Sequence, residues 1–311
     1  MSLLTREDLV GSLFFPQPGR SKPPAGARDV FVEVPGATLH VRVHGDAAKP
    51  LVVFFHGNGE SVADWDELAP GFTSHVQVAV SDYRGYGQST GVPTMQRLFD
   101  DAVAVFDALA SQAPLTPMVM GRSLGSAAAW HLAQVRPCRA VIVDSGFSDV
   151  DAFARRRGVS PSSLSDTERA ALDPLEKARA FEGPLLLLHG AQDTLIPSAD
   201  ATRLANVNPR ASLHLIPRRG HNDVVLDAAW WEQLHAFFDQ HAPHPLLEAT
   251  LKQAPLRSFR VVVDIEGKTT FHDAPSLEAA KSYAADVHLE GDAPGSTLAI
   301  VFDARGRRVD G

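Results

Sequence analysis

From about residue 30 to residue 240, short apolar runs alternate with longer stretches in which apolar residues recur at helical spacing. Continuous apolar runs predict strands that are covered on both faces. They are Leu51–Phe55, Val76–Val80, Met118–Met120, Ala140–Val143 and Leu185–Leu188. Helical spacing predicts helices at Met95–Leu109, Leu124–Val135, Ala199–Ala205 and Val224–Phe238. Such alternation favours an α/β fold with parallel strands, right-handed crossovers and helices on both faces of the sheet.

Two further strand patterns lie at the start of this region. Val30–Val34 and Leu39–Val43 alternate apolar and polar residues around Pro35-Gly36. Alternation on both sides of a Pro-Gly pair predicts a β-hairpin. Another strand is predicted at Ser212–Ile216, before the last helix of the region.

One polar segment interrupts the alternation between two predicted buried strands. Residues 149–181 have weak periodicity and include the triplet Arg155-Arg156-Arg157. An insertion at this point should lie over the carboxyl edge of the sheet, where α/β proteins bind their ligands. The triplet is expected on a solvated helix face, with an anion-binding role as the alternative.

A second change of pattern follows Gln240, where prolines should end the last helix. Strands are predicted at Phe259–Ile265 and Thr297–Phe302, and a helix at Ser276–Ala285 with Ser276 as its N-cap. No residue pattern in this part indicates a particular chemistry. We therefore expect it to serve in packing or in the formation of a homo-oligomer.

The length of the chain agrees with such a division. Its 311 residues are about twice the length of an average domain. The predicted organisation is a main domain at residues 1–245, with the insertion at 149–181, and a small C-terminal α+β module at residues 246–311.

Composition argues against several classes of protein. Asp and Glu number 37 against 29 for Lys and Arg, which disfavours nucleic acid or an anionic membrane as the main partner. The single cysteine, Cys138, excludes a disulfide scaffold and a cysteine-rich metal site. Neither a signal peptide nor an apolar run of transmembrane length is recognisable, so we expect a soluble, cytoplasmic protein.

A candidate nucleophile lies between a predicted strand and a predicted helix. Gly121-Arg122-Ser123-Leu124-Gly125 has the form G-x-S-x-G. The two glycines leave room for a serine in a strained backbone conformation with its hydroxyl above the sheet. The helix that follows directs its positive dipole end at a developing oxyanion. Ser123 is therefore predicted to be a nucleophile rather than only a helix cap.

A serine hydroxyl needs a neighbouring base, and thirteen histidines are candidates. His221 is favoured because it follows the predicted strand Ser212–Ile216 in a loop that can reach the carboxyl edge. The carboxylate that orients this imidazole is expected to be Asp193, directly after Leu185–Leu188, and Asp144 is the alternative.

No metal or cofactor is predicted. His235, His241 and His244 are close in sequence, but their spacing suits no single helical face, so we interpret them as solvated histidines near a helix end. The sequence also lacks an H-E-x-x-H pattern.

The chain contains HGNG at His56–Gly59, DYRGYGQS at Asp82–Ser89, GRSLG at Gly121–Gly125, HGAQD at His189–Asp193 and GH at Gly220-His221. In this order the motifs closely resemble the serine-hydrolase branch of the α/β-hydrolase superfamily. The resemblance covers residues 30–240. It implies an eight-stranded, mostly parallel sheet and a Ser-Asp-His triad at Ser123, Asp193 and His221.

The same resemblance implies the remaining parts of an active site. Backbone N–H groups of Leu124 and Asn58 would form an oxyanion hole, and His56 would have a structural role. A short lid would cover a compact acyl pocket, with Phe147 and Leu195 as expected substrate-binding residues.

The implied reaction is hydrolysis of a small or medium acyl ester through an acyl-serine intermediate. The expected partner is thus a small-molecule acyl substrate. Two alternatives stay open: a thioesterase or an amidase/peptidase that uses the same triad, and a non-catalytic hydrolase-fold scaffold for binding.

Overall fold

The computed structural model describes residues 3–7, 10–251, 253–254, 256–265, 268–290, 297–304, 306 and 309. Within these residues the strands are β1 Ala27–Val34, β2 Ala37–His44, β3 Leu51–Phe55, β4 Gln77–Ser81, β5 Met118–Arg122, β6 Val141–Asp144, β7 Leu185–Gly190, β8 Ala211–Ile216, β9 Phe259–Ile265, β10 Lys268–Ala274 and β11 Thr297–Phe302. The helices are α1 Val10–Leu13, α2 Ala69–Thr73, α3 Met95–Ala110, α4 Gly125–Val135, α5 Val150–Arg156, α6 Asp166–Leu172, α7 Pro174–Ala180, α8 Ala199–Val207, α9 Ala228–His241, α10 Pro245–Leu251 and α11 Leu277–Glu290.

The larger sheet has eight strands in the order β1-β2-β4-β3-β5-β6-β7-β8. The hairpin β1–β2 and the pair β2–β4 are antiparallel, and the other neighbours are parallel. The predicted α/β fold with a mostly parallel sheet is therefore confirmed. Since β3 and β5–β8 run in the same direction, the loops that follow them meet at one edge.

Alternating side chains of the central strands pack into two helical layers. In β3, for example, Val53 and Phe55 face the layer that contains α3 and α4. Val52 and Phe54 face the opposite layer, where they join aromatic residues of α2 and α9. All five residues of β3 are buried, which explains why this strand appears in the sequence as one continuous apolar run.

One predicted helix begins later than expected. Residues Val224–Leu226 form a separate 3₁₀ turn, and α9 starts at Ala228. Asp227 separates the two because its side chain accepts a hydrogen bond from the backbone N–H of Ala229 at 3.0 Å. This is the geometry of a helix N-cap, which the apolar periodicity alone does not reveal.

The insertion at residues 149–181 contains α5, α6 and α7. Asp149, Ser165 and Asp173 cap the three helices with their side chains. In α7 the fully buried Ala178 packs with Trp130 of α4, in the helical layer of the sheet. The last part of the predicted lid is therefore a helix of that layer, which leaves α5 and α6 as the other helices of the insertion.

The C-terminal part forms a second, antiparallel sheet in the order β10-β9-β11. Its two faces pack separately, with Val261 and Ala280 of α11 in one cluster and Val262 and Leu247 of α10 in the other. The strands β9 and β11 have the predicted bounds. Ser276 caps α11 as predicted, because its Oγ accepts a hydrogen bond from the N–H of Ala279 at 3.2 Å.

Two elements of this part were absent from the sequence prediction. The strand β10 is largely polar and exposed at the edge of its sheet, so it lacks a clear apolar signal. Helix α10 has only seven residues and begins at Pro245, which sequence analysis takes as a helix terminator. A proline is nevertheless well suited to the first position of a new helix.

Candidate active site

Ser123 occupies a sharp turn between β5 and α4. Its φ angle is 51°, in the left-handed region that non-glycine residues rarely adopt. A Cβ on Gly125 would lie 2.1 Å from the carbonyl oxygen of Phe55, and one on Gly121 would lie 2.4 Å from that of Gly125. Gly125 is thus required for the close packing of this turn against the end of β3, and Gly121 for its close packing against the start of α4.

Three side chains predicted from the sequence form one continuous arrangement. His221 Nε2 lies 3.0 Å from Ser123 Oγ, and His221 Nδ1 lies 2.7 Å from Asp193 Oδ2. An ionised carboxylate can only accept, so Nδ1–H donates to Asp193. The neutral imidazole then has Nε2 free to accept a proton from the serine hydroxyl.

Asp193 is fixed at the end of β7 by its own loop. Its Oδ1 accepts hydrogen bonds from the N–H groups of Leu195 and Ile196, both at 2.8 Å. A second histidine, His189, places Nε2 3.2 Å from Asp193 Oδ2. Burial alone would raise the pKa of Asp193, but hydrogen bonds from His189 and His221 lower it below its ordinary value. The carboxylate therefore stays ionised.

Close backbone contact joins the loops of Asp193 and His221. A Cβ on Gly190 would lie 2.4 Å from the carbonyl oxygen of Gly220. The N–H of Gln192 donates to the carbonyl of Arg219 at 2.8 Å. The relative position of the histidine and the carboxylate is thus set by the backbone of both loops.

Arg122, the residue before the serine, is a buried cation that sequence reasoning missed. Its Nε donates to Glu60 Oε1 at 2.9 Å, its Nη1 to Asp144 Oδ2 at 2.5 Å and its Nη2 to the carbonyl of His221 at 2.7 Å. Only 2% of its surface is exposed. The sequence offers no local signal for this role, because Asp144 becomes a neighbour of Arg122 only through the pairing of β5 with β6.

Asp144, the alternative acid, is the partner of Arg122 and not of the imidazole. Asp144 ends β6 and is fully buried, with its carboxylate directed at Arg122 and at the hydroxyl of Ser145. The side chain that contacts His221 Nδ1 is Asp193.

Glu60 connects Arg122 with the loop after β3. Its Oε2 accepts hydrogen bonds from the N–H of Gly57 at 2.9 Å and from Trp65 Nε1 at 3.1 Å. Burial opposes ionisation of Glu60, yet the charge of Arg122 is among the interactions that lower its pKa below the ordinary value. An ionised glutamate thus holds the HGNG segment close to the serine turn.

The expected oxyanion donors are the backbone N–H groups of Asn58 and Leu124. Within the described residues, neither group donates to another part of the protein. The Asn58 side chain is already engaged: Oδ1 accepts from the N–H of Phe15 and from Tyr86 OH, and Nδ2 donates to the Leu13 carbonyl. The side chain thus fixes the loop, while the backbone N–H of Asn58 is not engaged by any of the described residues.

His56 lies beneath this loop in a chain of buried polar contacts. Its Nδ1 lies 2.8 Å from the carbonyl oxygen of Gly57, and its Nε2 lies 3.4 Å from Asp82 Oδ1. The other carboxylate oxygen of Asp82 lies 2.7 Å from His40 Nδ1. Burial opposes ionisation of Asp82, but hydrogen bonds from His40 and His56 lower its pKa to about 2.

The two expected substrate-binding residues lie in different environments. Phe147 is 1% exposed and stacks on Phe153 of α5, with ring centroids 4.3 Å apart. Leu195 is 45% exposed, in the loop of Asp193.

The histidines near the end of α9 have local partners. His235 Nε2 lies 2.8 Å from the carbonyl oxygen of Gly71, and its ring stacks on that of His75. Across the described residues, no group of three or more His, Cys, Asp or Glu side chains is arranged to hold a metal ion. No helix among these residues has the length and apolar character needed to cross a bilayer.

Comparison with known proteins defines the family. A model described as the alpha/beta hydrolase fold matches residues 50–180. An uncharacterized protein of Mycobacterium tuberculosis is 31% identical over 242 residues, which cover 70% of this chain and 84% of that protein. The chain therefore belongs to the α/β-hydrolase superfamily.

Other relatives match over a smaller part of their length. Alpha/beta hydrolase domain-containing protein aho-3 of Caenorhabditis elegans is 28% identical over 217 residues, 68% of this chain and 64% of that protein. Alpha/beta hydrolase domain-containing protein 17C of Homo sapiens is 27% identical over 204 residues, which cover 64% of this chain and 60% of that protein. The chain thus spans less than two thirds of these relatives.

Solved structures agree with this fold. An esterase from Pyrococcus furiosus superposes with a TM-score of 0.59 at 19% identity, over 73% of this chain and 98% of that one. A hydrolase from Pseudomonas aeruginosa superposes with a TM-score of 0.54 at 22% identity, over 69% of this chain and 99% of that one.

The first prediction concerns the buried guanidinium. Arg122→Met should lower the free energy of unfolding by about 3–5 kcal/mol, because Glu60 and Asp144 would keep buried charges without their cation. Urea unfolding followed by circular dichroism measures this change. The matched control is Arg136→Met, which removes an exposed ion pair with Asp107 and should change stability little. Equal effects of the two substitutions would contradict the structural role of Arg122.

The second prediction concerns the pH dependence of stability. The pKa of Asp82 is about 2 in the folded protein, against an ordinary value of 3.8. The ionised side chain therefore stabilises the fold above about pH 4, and this contribution to the free energy of unfolding is lost as the pH falls toward about 2. Between about pH 5 and pH 2.5 the loss of unfolding free energy should be smaller in Asp82→Asn than in the wild type, by up to about 2 kcal/mol.

In the wild type this pH window lies below the raised pKa values of His40 and His56, so both side chains are protonated there. Asp46→Asn, at an exposed position, is the control and should follow the wild type. If the free energy of unfolding fell equally with pH in the wild type and in Asp82→Asn, the prediction would be contradicted.

Proposed function

We propose that this chain is a serine hydrolase that cleaves a small or medium acyl ester through an acyl-serine intermediate. The observation that carries this proposal is the hydrogen-bonded series from Ser123 through His221 to Asp193, with distances of 3.0 and 2.7 Å. The two unengaged backbone N–H groups beside it, at Asn58 and Leu124, support the same chemistry. A non-catalytic scaffold would have no need of this alignment.

In the first half of the proposed reaction, Ser123 Oγ attacks the ester carbonyl carbon while His221 Nε2 takes the hydroxyl proton. The carbonyl oxygen becomes an oxyanion and accepts hydrogen bonds from the N–H groups of Asn58 and Leu124, each worth about 3–4 kcal/mol in such sites. The imidazolium then donates its proton to the alcohol oxygen as the carbon–oxygen bond breaks. An acyl-serine and a free alcohol result.

The second half repeats these steps with water. His221 Nε2 takes a proton from water, whose oxygen attacks the acyl carbon and forms a second tetrahedral intermediate. Collapse of this intermediate returns the proton from His221 to Ser123 Oγ and releases the carboxylic acid. Asp193 orients the imidazole throughout and stabilises its positive charge, which its lowered pKa allows.

Thioesters and amides would pass through the same steps with a different leaving group. They differ in how strongly the leaving atom needs a proton from His221, which is greatest for an amide nitrogen. Esters of an acidic phenol, whose leaving oxygen needs little protonation, are therefore an undemanding test of the machinery, and the same assays with a thioester and an anilide determine its range.

The third prediction is that 4-nitrophenyl esters, in a series from acetate to laurate, are hydrolysed and that Ser123→Ala abolishes turnover. The expected loss in kcat is on the order of 10⁴-fold or more, because no other group replaces the nucleophile. A fluorophosphonate probe should label the wild type and not this variant.

The control for this experiment is Ser111→Ala, which alters an exposed hydroxyl at the end of α3 and should retain turnover and labelling. A wild type that neither hydrolyses any ester nor reacts with the probe would instead favour a binding scaffold.

The fourth prediction separates the two candidate acids. Asp193→Asn should lower kcat by about 10⁴-fold, because the amide can no longer hold the imidazole in the required tautomer. Asp144→Asn should mainly lower stability, because it weakens the contact with Arg122. Rates are compared per folded molecule, with the folded fraction measured by circular dichroism. A larger loss of kcat in Asp144→Asn would assign the acid to Asp144.

A further inference from the structure

The three consecutive arginines at the end of α5 differ in their surroundings. Arg155 and Arg156 are exposed, as the sequence predicts for a solvated helix face, whereas Arg157 is partly buried. Its guanidinium carbon lies 5.2 Å from the centre of the Phe15 ring and 5.7 Å from that of Phe153. The last arginine of the triplet thus lies where the lid contacts the N-terminal segment.

Arg157 carries a charge that its surroundings do not neutralise. Within the described part of the chain, no carboxylate lies at ion-pair distance from its guanidinium, although Arg156 approaches Asp200 at 3.7 Å and Arg169 of the same lid pairs with Asp151. Burial lowers the pKa of Arg157 below the ordinary value. The two aromatic faces stabilise the cation in part, but they supply no hydrogen-bond acceptor.

Both aromatic neighbours connect Arg157 with the candidate active site. The backbone N–H of Phe15 donates to Asn58 Oδ1 at 2.8 Å, and the N–H of Asn58 is an expected oxyanion donor. Phe153 stacks on Phe147, which follows β6 at the carboxyl edge of the sheet. Phe15 is 46% exposed, so this side of the cluster is open to a ligand. The guanidinium therefore lies beside the loop that would hold the reacting carbonyl.

We propose that Arg157 binds an anionic group of the substrate, a carboxylate or a phosphate, so that the preferred esters carry a negative charge. A guanidinium offers two parallel N–H donors that match either group, and Phe15 and Phe153 hold its plane in place. This inference rests on the proposed serine hydrolase activity and specifies its substrate class. Arg157 acts in recognition and takes no part in bond making or breaking.

The test compares matched charged and neutral esters. For a charge on the acyl side, mono-4-nitrophenyl glutarate is compared with 4-nitrophenyl valerate. For a charge on the leaving group, 4-acetoxybenzoate is compared with its methyl ester, and 4-acetoxyphenyl phosphate tests a phosphate in the same position. The quantity measured is the ratio of kcat/KM for the charged ester to that for its neutral partner.

We expect at least one ratio to exceed unity in the wild type and to fall about 10- to 100-fold in Arg157→Gln, which is the usual effect of a lost hydrogen bond to a charged group. Arg157→Lys should recover part of the preference. Arg155→Gln removes an equal charge from the exposed neighbour, so it controls for long-range electrostatics and should leave the ratios unchanged.

Because each ratio is internal, a general loss of activity in a variant does not alter the conclusion. Ratios that are near unity in the wild type, unchanged in Arg157→Gln, or lowered equally by Arg155→Gln would overturn the inference. Turnover of neutral esters and fluorophosphonate labelling of Ser123 test the proposed function separately. If both are present without a charge preference, only the inference fails, and if both are absent, the proposed function itself fails.

Discussion

The guanidinium of Arg122 donates hydrogen bonds to acceptors from three separate segments of the chain. Glu60 belongs to the loop after β3, Asp144 ends β6, and the third acceptor is the backbone carbonyl of His221. In a buried site these charges interact strongly, and loss of the cation would leave two carboxylates unpaired. Displacement of any one loop would therefore weaken the contacts that hold the other two. The proposed base, oxyanion loop and nucleophile turn are in this way coupled through a side chain that need not touch a substrate.

Apolar packing and close backbone contact provide the framework for this polar centre. Buried residues on both faces of β3, β5, β6 and β7 fix where each strand ends, and hence where each functional loop begins. Gly125 and Gly190 then allow neighbouring loops to approach to distances that a side chain would prevent. The sheet thus sets the approximate position of the site, while the hydrogen bonds of Arg122 and Asp193 determine its geometry.

Much of this arrangement could be predicted from the sequence, because the features concerned have local signals. The central strands are continuous apolar runs, the motifs of Ser123 and Asp193 occur directly after such runs, and His221 follows the alternating strand β8. The role of Arg122 could not be predicted, since the motif leaves its position undefined and its partners become neighbours only in the folded sheet. The same limit applies to Arg157, whose two exposed neighbours in the triplet give no sign of a different environment. The polar edge strand β10 lacked the alternation that identifies a strand.

The left-handed backbone of Ser123 has a consequence for how the protein can change. A residue with a Cβ at φ 51° is strained, whereas glycine would adopt this conformation at little cost. Replacement of Ser123 by glycine would therefore relieve backbone strain and, at the same time, remove the hydroxyl. Under the proposed mechanism, thermal robustness and reactivity place opposing demands on residue 123, so a library of variants screened only for heat resistance would tend to enrich inert molecules.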